Sequence, residues 1–599
     1  MTPSLNNVIS DHQPANSETQ YNTMCSVYEG VSSELDRSFH VWLSTLTAGV
    51  SPVSVGLAYA DWLMHLSLSP GKVLNLWLNA TEEVITFKPL LFNTGQHSSA
   101  LCATLKLTDK RFKDEAWSRY PFNFYQKLFL SIEGWWQAAV TNVNGVSQHH
   151  ADVVAFVNRL FIDVMAPSNF IATNPIVLTK IRETFGQSLA LGLRNFLDDS
   201  QQLLKGDLPH HLHPFKVGKD LAVTPGKVVY RNRLIELIQY TPATEQVYAE
   251  PVLIVPAWIM KYYILDLTPG QSLVEYLVQQ GHTVFLISWK NPTAEDHDIG
   301  FNDYMKLSVI EALDVINTIL PERKIHAAGY CIGGILLTIA AAWLSERKDN
   351  RLQSVTLLAA QSDFDRAGEL LLFMDESQLA FLDNIMAQQG YLNKFQLKSI
   401  FQIMHANDLI WSYFINNYLL GERTPVSELM SWSADVTRMP YKMHKEYLEK
   451  LYLHDELSEG NYQVDGKEIV LHNLRWPIFS VATEKDYLSP WHSVYKLHLF
   501  TNTEITFVLT NGGHNAGIVS QLNNTRRHYR IGTTPKDASY ISPDDWFAQH
   551  QEQHQGSWWS AWHQWLTERS AEQKVNPPSM GCSTYPPRVD APGTYVHQQ

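Results

Sequence analysis

The stretch HAAGYCIGGILL, His326–Leu337, decides the fold of this 599-residue chain. Cys331 stands two residues from Gly329 and two from Gly333, after a run typical of a strand and before a run typical of a helix. Glycines at this spacing let the backbone turn sharply without Cβ clashes. We therefore predict that the turn presents the Cys331 thiol as a nucleophile. The alternative is a buried structural cysteine whose neighbouring glycines serve helix–strand packing.

Eight short runs rich in β-branched and aromatic residues predict strands around this turn. Near-continuous apolar strands that alternate with helices are typical of a parallel sheet covered on both faces. The first two runs are joined too closely for a crossover and predict an antiparallel edge hairpin. The runs are Lys227–Asn232, Leu234–Tyr240, Pro251–Trp258, Thr283–Trp289, Lys324–Tyr330, Ser354–Ala360, Trp476–Thr483 and Ile505–Asn511.

The pattern of elements divides the chain into four predicted parts. Residues 1–33 are polar and predict a disordered tail, and residues 34–215 carry helical patterns that predict a mainly α N-terminal domain. Residues 216–570 predict a mainly parallel sheet of the α/β-hydrolase type, with a helical cap inserted at about 363–474 because that interval is too long for one crossover. Residues 571–599 form a Pro/Gly-rich C-terminal tail.

Composition excludes several classes of protein. A net charge of −14 without a dense basic face argues against nucleic-acid binding. The four cysteines lack C-x-x-C spacing, so we expect neither a disulfide framework nor a zinc site, and a reducing compartment fits. The start of the chain is not typical of a secretory signal, and the longest apolar run, Ile332–Leu344, is too short to span a bilayer. We expect a soluble cytoplasmic protein with no membrane span.

A nucleophile turn of this type predicts an acid and then a histidine, each just after a later strand. Asp486 follows one predicted strand by three residues, and His514 follows the next. We therefore predict a Cys331–His514–Asp486 triad, with Glu484 as the alternative acid. The serine-centred patterns at Ser188 and Ser272 lack the second glycine and follow no strand, so they do not compete.

The same type of site predicts two backbone donors for a developing oxyanion. One is the N–H of Ile332, directly after the nucleophile. The other comes from the loop after Pro251–Trp258, near Ala257 or Trp258, although this loop has no HGGG-type run.

A cysteine in place of serine favours one type of chemistry. A thiol gains nucleophilicity from a neighbouring imidazole. Because transfer between two thioesters is nearly isoenergetic, an acyl-cysteine keeps the transfer potential that an acyl-serine would lose. Cys331 therefore favours acyl transfer from a thioester donor over simple ester hydrolysis, as a hypothesis to which cysteine hydrolases of this fold are the counterexample.

Taken together, GYCIGG, the downstream Asp486 and GGHNAG resemble the polyhydroxyalkanoate synthases. The resemblance extends over nearly the whole chain from residue 34. Further segments that resemble the family are Glu34–Lys72, Asp109–Pro121, Ala166–Pro175, Gly218–Tyr240, Pro256–Leu267, Gly281–Pro292, the GSWW segment at Gly556 and the terminal APGTYV.

The resemblance implies polymerisation of (R)-3-hydroxyacyl-CoA, of the class of poly-3-hydroxybutyrate synthesis, with release of CoA. It implies Cys331 as the acylated nucleophile, His514 as the base for the thiol and for the incoming hydroxyl, and Asp486 as the group that orients His514. No cofactor or metal is implied, since CoA is part of the substrate. The family also implies a mobile cap, a homodimer and attachment to cytoplasmic polyester granules, the last two with help from the N-terminal domain.

Two departures and two alternatives remain open. Tyr487 stands where the family commonly has histidine after the catalytic aspartate, and Asp61–His65 is less regular than the family's usual form. A cysteine hydrolase or depolymerase would form the same acyl-enzyme and pass the acyl group to water. A catalytically silent granule-coat protein is suggested by the Trp-rich helices that flank the catalytic region. The N-terminal block hints at short acyl groups.

Overall fold

The computed structural model describes residues 32, 34–92, 109–205, 214–522 and 524–599. The predicted disordered tail, residues 1–33, therefore lies outside the described residues except for Ser32.

Within these residues, ten strands form one sheet in the order β1-β2-β4-β3-β5-β6-β7-β8-β9-β10. The six neighbouring strands from β4 to β8 pair in parallel, and β1 and β2 form the predicted antiparallel edge hairpin. All eight predicted strands are present. The strands are β1 Gly226–Arg231, β2 Ile235–Tyr240, β3 Val252–Val255, β4 Val284–Trp289, β5 Ile325–Tyr330, β6 Leu352–Leu358, β7 Ile478–Thr483, β8 Ile505–Thr510, β9 His528–Thr534 and β10 His554–Gln555.

The N-terminal region is helical, as predicted. Ser51 caps the second helix, where its side chain accepts a hydrogen bond from the N–H of Ser54, and Pro52 occupies the first helical position. Phe185 and Gly186, which both have positive φ, separate two helices near the end of this region. The helices are α1 Glu34–Thr47, α2 Pro52–Ser67, α3 Pro70–Phe92, α4 Phe122–Val140, α5 Gln148–Val164, α6 Pro175–Glu183 and α7 Gln187–Leu204, with 3₁₀ turns at Lys110–Phe112, Glu115–Ser118 and Pro167–Asn169.

Helices cover both faces of the sheet. Two large apolar clusters, one on each face, account for the continuous apolar strands. Outside the long interval, the helices are α8 Leu273–Gln279, α9 Glu311–Ile319 (continuous with Phe301–Tyr304 and Met305–Ile310) and α10 Ile332–Glu346. The mainly parallel sheet and the helical N-terminal region confirm the predicted fold class.

The chain between β6 and β7 is mainly helical and lies beside the carboxyl ends of the strands. We refer to residues 363–474 as the cap. Its helices are α11 Glu376–Gln389, α12 Lys394–Met404, α13 Glu428–Ala434 and α14 Tyr441–Glu446, with further helical segments at Gly368–Phe373, Asn407–Trp411, Ser412–Phe414, Ile415–Leu419, Tyr447–Leu453 and Leu471–Asn473; two-residue strands lie at Tyr391–Leu392, Met439–Pro440, Gln463–Val464 and Lys467–Glu468.

The C-terminal part of the chain packs closely on the sheet. After α15 Trp491–Tyr495 and Leu497–Phe500, the structure adds the antiparallel strands β9 and β10, which the sequence analysis did not predict. The Trp-rich segment forms two helices, α16 Pro543–Gln549 and α17 Trp559–Thr567. The indole rings of Trp558, Trp559, Trp562 and Trp565 are buried against the sheet, so they belong to the core and offer no apolar surface to a granule.

The last residues of the chain cover the β1–β2 edge. The carboxylate of Glu236, buried on β2, accepts hydrogen bonds from the backbone N–H groups of Thr594 and Tyr595 and from the guanidinium of Arg231. An edge strand with unpaired backbone groups invites aggregation, and this segment covers it.

Among the described residues, no single helix is long and apolar enough to cross a membrane. The bent pair α1 and α2, which meet at 67°, passes the length and composition test only when taken together.

Candidate active site

Cys331 lies in the turn between β5 and α10. Its backbone has φ 53° and ψ −128°, a conformation that costs a non-glycine residue free energy. The residue before it ends the strand and the residue after it begins the helix. The chain therefore makes the strained strand-to-helix turn that GYCIGG predicts.

The three glycines around Cys331 are required by close packing. A Cβ atom at Gly329 would lie 2.5 Å from the Cα of Gly334, and one at Gly334 would lie 2.5 Å from the Cβ of Ala360. A Cβ at Gly333 would lie 2.4 Å from the carbonyl oxygen of Val255 and 2.5 Å from that of Pro256. The turn is therefore packed directly against the loop that follows β3.

Asp486 and His514 meet beyond the carboxyl ends of β7 and β8. The Nδ1–H of His514 donates to Asp486 Oδ2 at 2.8 Å, and both side chains are almost fully buried. Thr483 Oγ1 also donates to Oδ2, at 3.1 Å. The backbone N–H groups of Leu488 and Ser489 donate to Oδ1 at 3.0 and 2.9 Å. The carboxylate is thus held on both oxygens independently of the histidine.

The alternative acid, Glu484, is placed differently. Its backbone N–H bonds to the carbonyl oxygen of Thr510, whereas the hydrogen bond to the His514 ring comes from Asp486. Of the two carboxylates, the structure brings Asp486 to the histidine.

Cys331 lies close enough to His514 for the two side chains to interact, so the three predicted residues are brought together. Burial alone would lower the pKa of His514, but the neighbouring charges of Asp486 and Cys331 outweigh it and hold that pKa well above its usual value. Since Nδ1 is committed to Asp486, Nε2 is the nitrogen left for the thiol. The arrangement supports proton transfer between sulfur and imidazole.

The two predicted oxyanion donors belong to neighbouring elements. Ile332 is the first residue of α10, and the first N–H groups of a helix have no partner within it. Ala257 lies in the loop after β3, against which Gly333 packs. A role for the Ala257 N–H stays a prediction.

Two tyrosines of the cap lie near Cys331. Tyr447 and Tyr452 are both buried and lie close enough to Cys331 for its charge to raise the pKa of each hydroxyl, after the larger effect of burial. Phe301 stacks on Tyr447 at 5.9 Å between ring centroids, and Phe364 contacts Tyr452 at 4.9 Å. Aromatic side chains of the cap therefore lie near the predicted nucleophile, which no sequence motif indicated.

A second polar contact braces the histidine loop. The hydroxyl of Tyr330 donates to Asn515 Oδ1 at 2.5 Å, and the Tyr330 ring lies 5.6 Å from that of His514. Both residues are immediate neighbours of predicted catalytic residues. That adjacency was the sequence signal available for them.

Tyr487, the departure from the family pattern, faces the cap. Its ring contacts that of His405 with centroids 3.9 Å apart, and its carbonyl oxygen accepts a hydrogen bond from the N–H of Glu369 at 3.1 Å. Burial, followed by the charges of Asp486 and Glu369, raises the pKa of Tyr487 to about 12. The residue after Asp486 is therefore a neutral contact between the acid loop and the cap.

Comparison with protein families gives three matches. The family described as "Poly-beta-hydroxybutyrate polymerase N terminal" matches residues 31–72, and "Poly-beta-hydroxybutyrate polymerase (PhaC) N-terminus" matches residues 108–277. The family described as "alpha/beta hydrolase fold" matches residues 250–521, which contain Cys331, Asp486 and His514.

Three curated proteins of similar sequence are named as poly(3-hydroxyalkanoate) polymerases or their subunits. A poly(3-hydroxyalkanoate) polymerase of Methylorubrum extorquens is 37% identical over 497 residues, which cover 82% of this chain and 81% of that protein. A poly(3-hydroxyalkanoate) polymerase subunit PhaC of Rhizobium meliloti is 32% identical over 581 residues, with 94% and 93% covered. The corresponding subunit of Cupriavidus necator is 34% identical over 506 residues, with 82% and 84% covered.

Among solved structures, a monoacylglycerol lipase of Paleococcus ferrophilus is similar at 11% identity and a TM-score of 0.29. The match covers 56% of this chain and 99% of that chain. A similarity this low adds nothing to the assignment of the fold.

Proposed function

Because this chain belongs to the poly(3-hydroxyalkanoate) polymerase family, we propose that it joins (R)-3-hydroxyacyl groups from CoA thioesters into a polyester and releases CoA. The observation that carries the chemistry is the contact chain from Cys331 through His514 to Asp486 at a nucleophile turn. The reaction needs no bound cofactor, since CoA enters as part of the substrate.

In the first half-reaction, His514 accepts the thiol proton and Cys331 Sγ attacks the carbonyl carbon of the thioester. The N–H of Ile332, with a second donor near Ala257, stabilises the negative charge on the carbonyl oxygen. The bond from carbon to the CoA sulfur breaks, and that sulfur leaves with the proton held by His514. The acyl group is then on Cys331 as a thioester of similar energy.

In the second half-reaction, a 3-hydroxyl group takes the place of the departed CoA. His514 accepts the hydroxyl proton, and the oxygen attacks the acyl carbon on Cys331. An ester bond forms, the carbon–Sγ bond breaks, and His514 returns its proton to the sulfur. Asp486 stabilises the imidazolium in both halves through its bond to Nδ1.

Water is the competing acceptor, and its exclusion decides between a polymerase and a hydrolase. The buried rings of Tyr447 and Tyr452 lie near Cys331 and provide apolar surface there, which suits a hydroxyacyl acceptor better than bulk water. From the N-terminal block, we propose short acyl groups such as 3-hydroxybutyrate.

The assembly and location proposed for this enzyme follow from the family. We propose a homodimer that works in the cytoplasm at the surface of polyester granules. Apolar side chains exposed on α1–α3, including Trp42 and Trp77, are compatible with attachment through the N-terminal region.

The decisive experiment supplies (R)-3-hydroxybutyryl-CoA and measures both released CoA and insoluble polyester. We expect both products from the wild-type chain and neither from Cys331→Ala. Free 3-hydroxybutyrate without polyester would identify a hydrolase instead. Unchanged release of CoA by Cys331→Ala would rule out the catalytic cysteine.

A further inference from the structure

Three carboxylates converge at the base of the cap. One oxygen atom each from Asp363, Asp365 and Asp455 lies within 4.8 Å of the other two. Asp363 and Asp365 stand where the chain enters the cap after β6, and Asp455 directly follows the helical segment Tyr447–Leu453. The fold therefore brings together acidic groups about ninety residues apart in sequence.

Asp455 is an unusual member of this group because it is buried and only partly satisfied. The residue is 7% exposed. Its Oδ2 accepts a hydrogen bond from the N–H of Phe364 at 3.1 Å. Its Oδ1 is shielded from solvent and has no hydrogen-bond partner among the described residues. An unpaired buried carboxylate oxygen costs free energy, and a bound cation would remove that cost.

The charges around the group do not balance. Lys496 pairs with Asp363 at 2.6 Å, and the described part of the chain provides no ion pair to Asp365 or Asp455. Three carboxylates against one ammonium leave an excess of negative charge. Burial, followed by the effects of neighbouring groups including Asp363 and Asp365, raises the pKa of Asp455 to about 6.

The spacing and chemistry of the oxygens match one class of ligand. Two oxygens bound to one Ca²⁺ at 2.3–2.6 Å lie at most about 5 Å apart, and the three carboxylate oxygens lie within that separation of one another. Carboxylate and hydroxyl oxygens select hard cations over zinc or copper, and Ser458 adds a hydroxyl beside Asp455. Asp365 is exposed, so water can complete the coordination.

We propose that Asp363, Asp365 and Asp455 bind one hard divalent cation, Ca²⁺ or Mg²⁺, at the base of the cap. The cation joins the entry of the cap to the segment that follows Leu453. Phe364, between two of the ligands, contacts Tyr452, which lies near Cys331. The cation acts on structure: it fixes the position of these aromatic residues near the nucleophile and takes no part in the transfer of the acyl group.

The test is the melting temperature of the full-length chain after treatment with EDTA and dialysis. CaCl₂ and MgCl₂ are added in separate titrations, with KCl at matched ionic strength as the blank. We expect a saturable rise of about 2–6 °C with at least one of the two cations. Calorimetric titration with the same salt should give one cation per chain.

Two variants locate the binding. Asp365→Asn changes an exposed ligand, so this variant should fold, and its melting temperature should no longer rise saturably with the cation. Asp455→Asn should lose this rise as well, and Asp298→Asn, a matched change at an exposed aspartate outside the group, should keep it. If Asp455→Asn fails to fold, Asp365→Asn decides. No rise with either cation, or an equal rise in Asp365→Asn, would overturn the proposal whatever the polymerase assay gives.

Discussion

Asp486 owes its position to its own loop, since Thr483, Leu488 and Ser489 all donate to it within six residues of chain. The orientation and charge of His514 depend on Asp486, whereas the position of Asp486 does not require His514. The raised pKa of His514 expresses this dependence, because two neighbouring anionic groups outweigh the effect of burial. At the scale of single residues, Asp486 is held by its own loop and stabilises the protonated form of the buried His514.

Substitution of each candidate acid in turn should show which carboxylate supports His514. Asp486→Asn keeps the size of the side chain but removes the charge that stabilises the imidazolium. We expect the rate of CoA release to fall by about 100- to 10,000-fold. Glu484→Gln, two residues away, should stay within about twofold of wild type. A larger fall in the rate of CoA release in Glu484→Gln than in Asp486→Asn would identify Glu484 as the acid.

The state of His514 should be visible in the pH dependence of thiol alkylation. His514 remains a cation below its raised pKa and loses that charge only as the pH rises through it. A cation beside Cys331 favours thiolate over thiol, so alkylation by iodoacetamide should stay fast on the acidic side of neutrality. Mass spectrometry of the Cys331 peptide after brief exposure measures the rate. In His514→Gln the rate should rise with pH like that of an ordinary thiol; identical profiles would contradict the pairing.

At the scale of elements, the active site depends on how closely α10 approaches the loop after β3. The backbone oxygens of Val255 and Pro256 leave no room for a side chain at Gly333. That contact sets the distance between the two proposed oxyanion donors. The glycines of GYCIGG therefore determine the position of a loop that lies about eighty residues earlier in the sequence.

A methyl group at Gly333 should displace the two proposed oxyanion donors relative to each other. Gly333→Ala puts a Cβ at 2.4 Å from a backbone oxygen, where about 3.4 Å is normal, so one element must move by about 1 Å. A displacement of this size costs about 100-fold in rate. Gly513→Ala is the matched control beside His514, since its Cβ would lie 3.4 Å from the oxygen of Lys485. The rate of CoA release measures both; equal activities would show that the contact is not critical.

At the scale of the whole molecule, the N-terminal domain is fastened mainly to the cap. Asp199 on α7, with a side chain 2% exposed, accepts hydrogen bonds from the hydroxyls of Tyr413 and Tyr418 and from the guanidinium of Arg423. Lys180 pairs with Glu422, Lys110 pairs with Asp408, and the Gln378 side chain bonds both Gly49 and Ser51. Movement of the cap relative to the sheet is therefore coupled to the N-terminal domain.

Removal of one buried acceptor should loosen this junction. Asp199→Ala leaves three donors without the carboxylate, which we expect to cost about 1–3 kcal/mol because Arg423 is partly exposed. Limited proteolysis within residues 405–423 should then be about tenfold faster. Asp198→Ala removes the neighbouring, exposed carboxylate and should be cleaved at the wild-type rate. Equal cleavage of the two variants would mean that Asp199 does not hold the junction.

The sequence by itself determined the eight predicted strands, the turn at Cys331 and the pairing of Asp486 with His514. These features depend on local patterns: apolar runs, glycine spacing, and polar residues directly after strands. Sequence analysis missed β9 and β10 because the two short edge strands have weak patterns. It also did not predict that the tryptophans around Trp559 pack in the core against the sheet.

Only the tertiary structure decided what surrounds the nucleophile. Three features join residues far apart in the chain: the position of Tyr447 and Tyr452 near Cys331, the contact of Tyr487 with His405 and the proximity of Asp363 to Asp455. No periodicity in one sequence encodes such distances, because they depend on how the cap packs against the sheet. Local patterns identified the candidate catalytic residues, and long-range packing determines what surrounds and holds them.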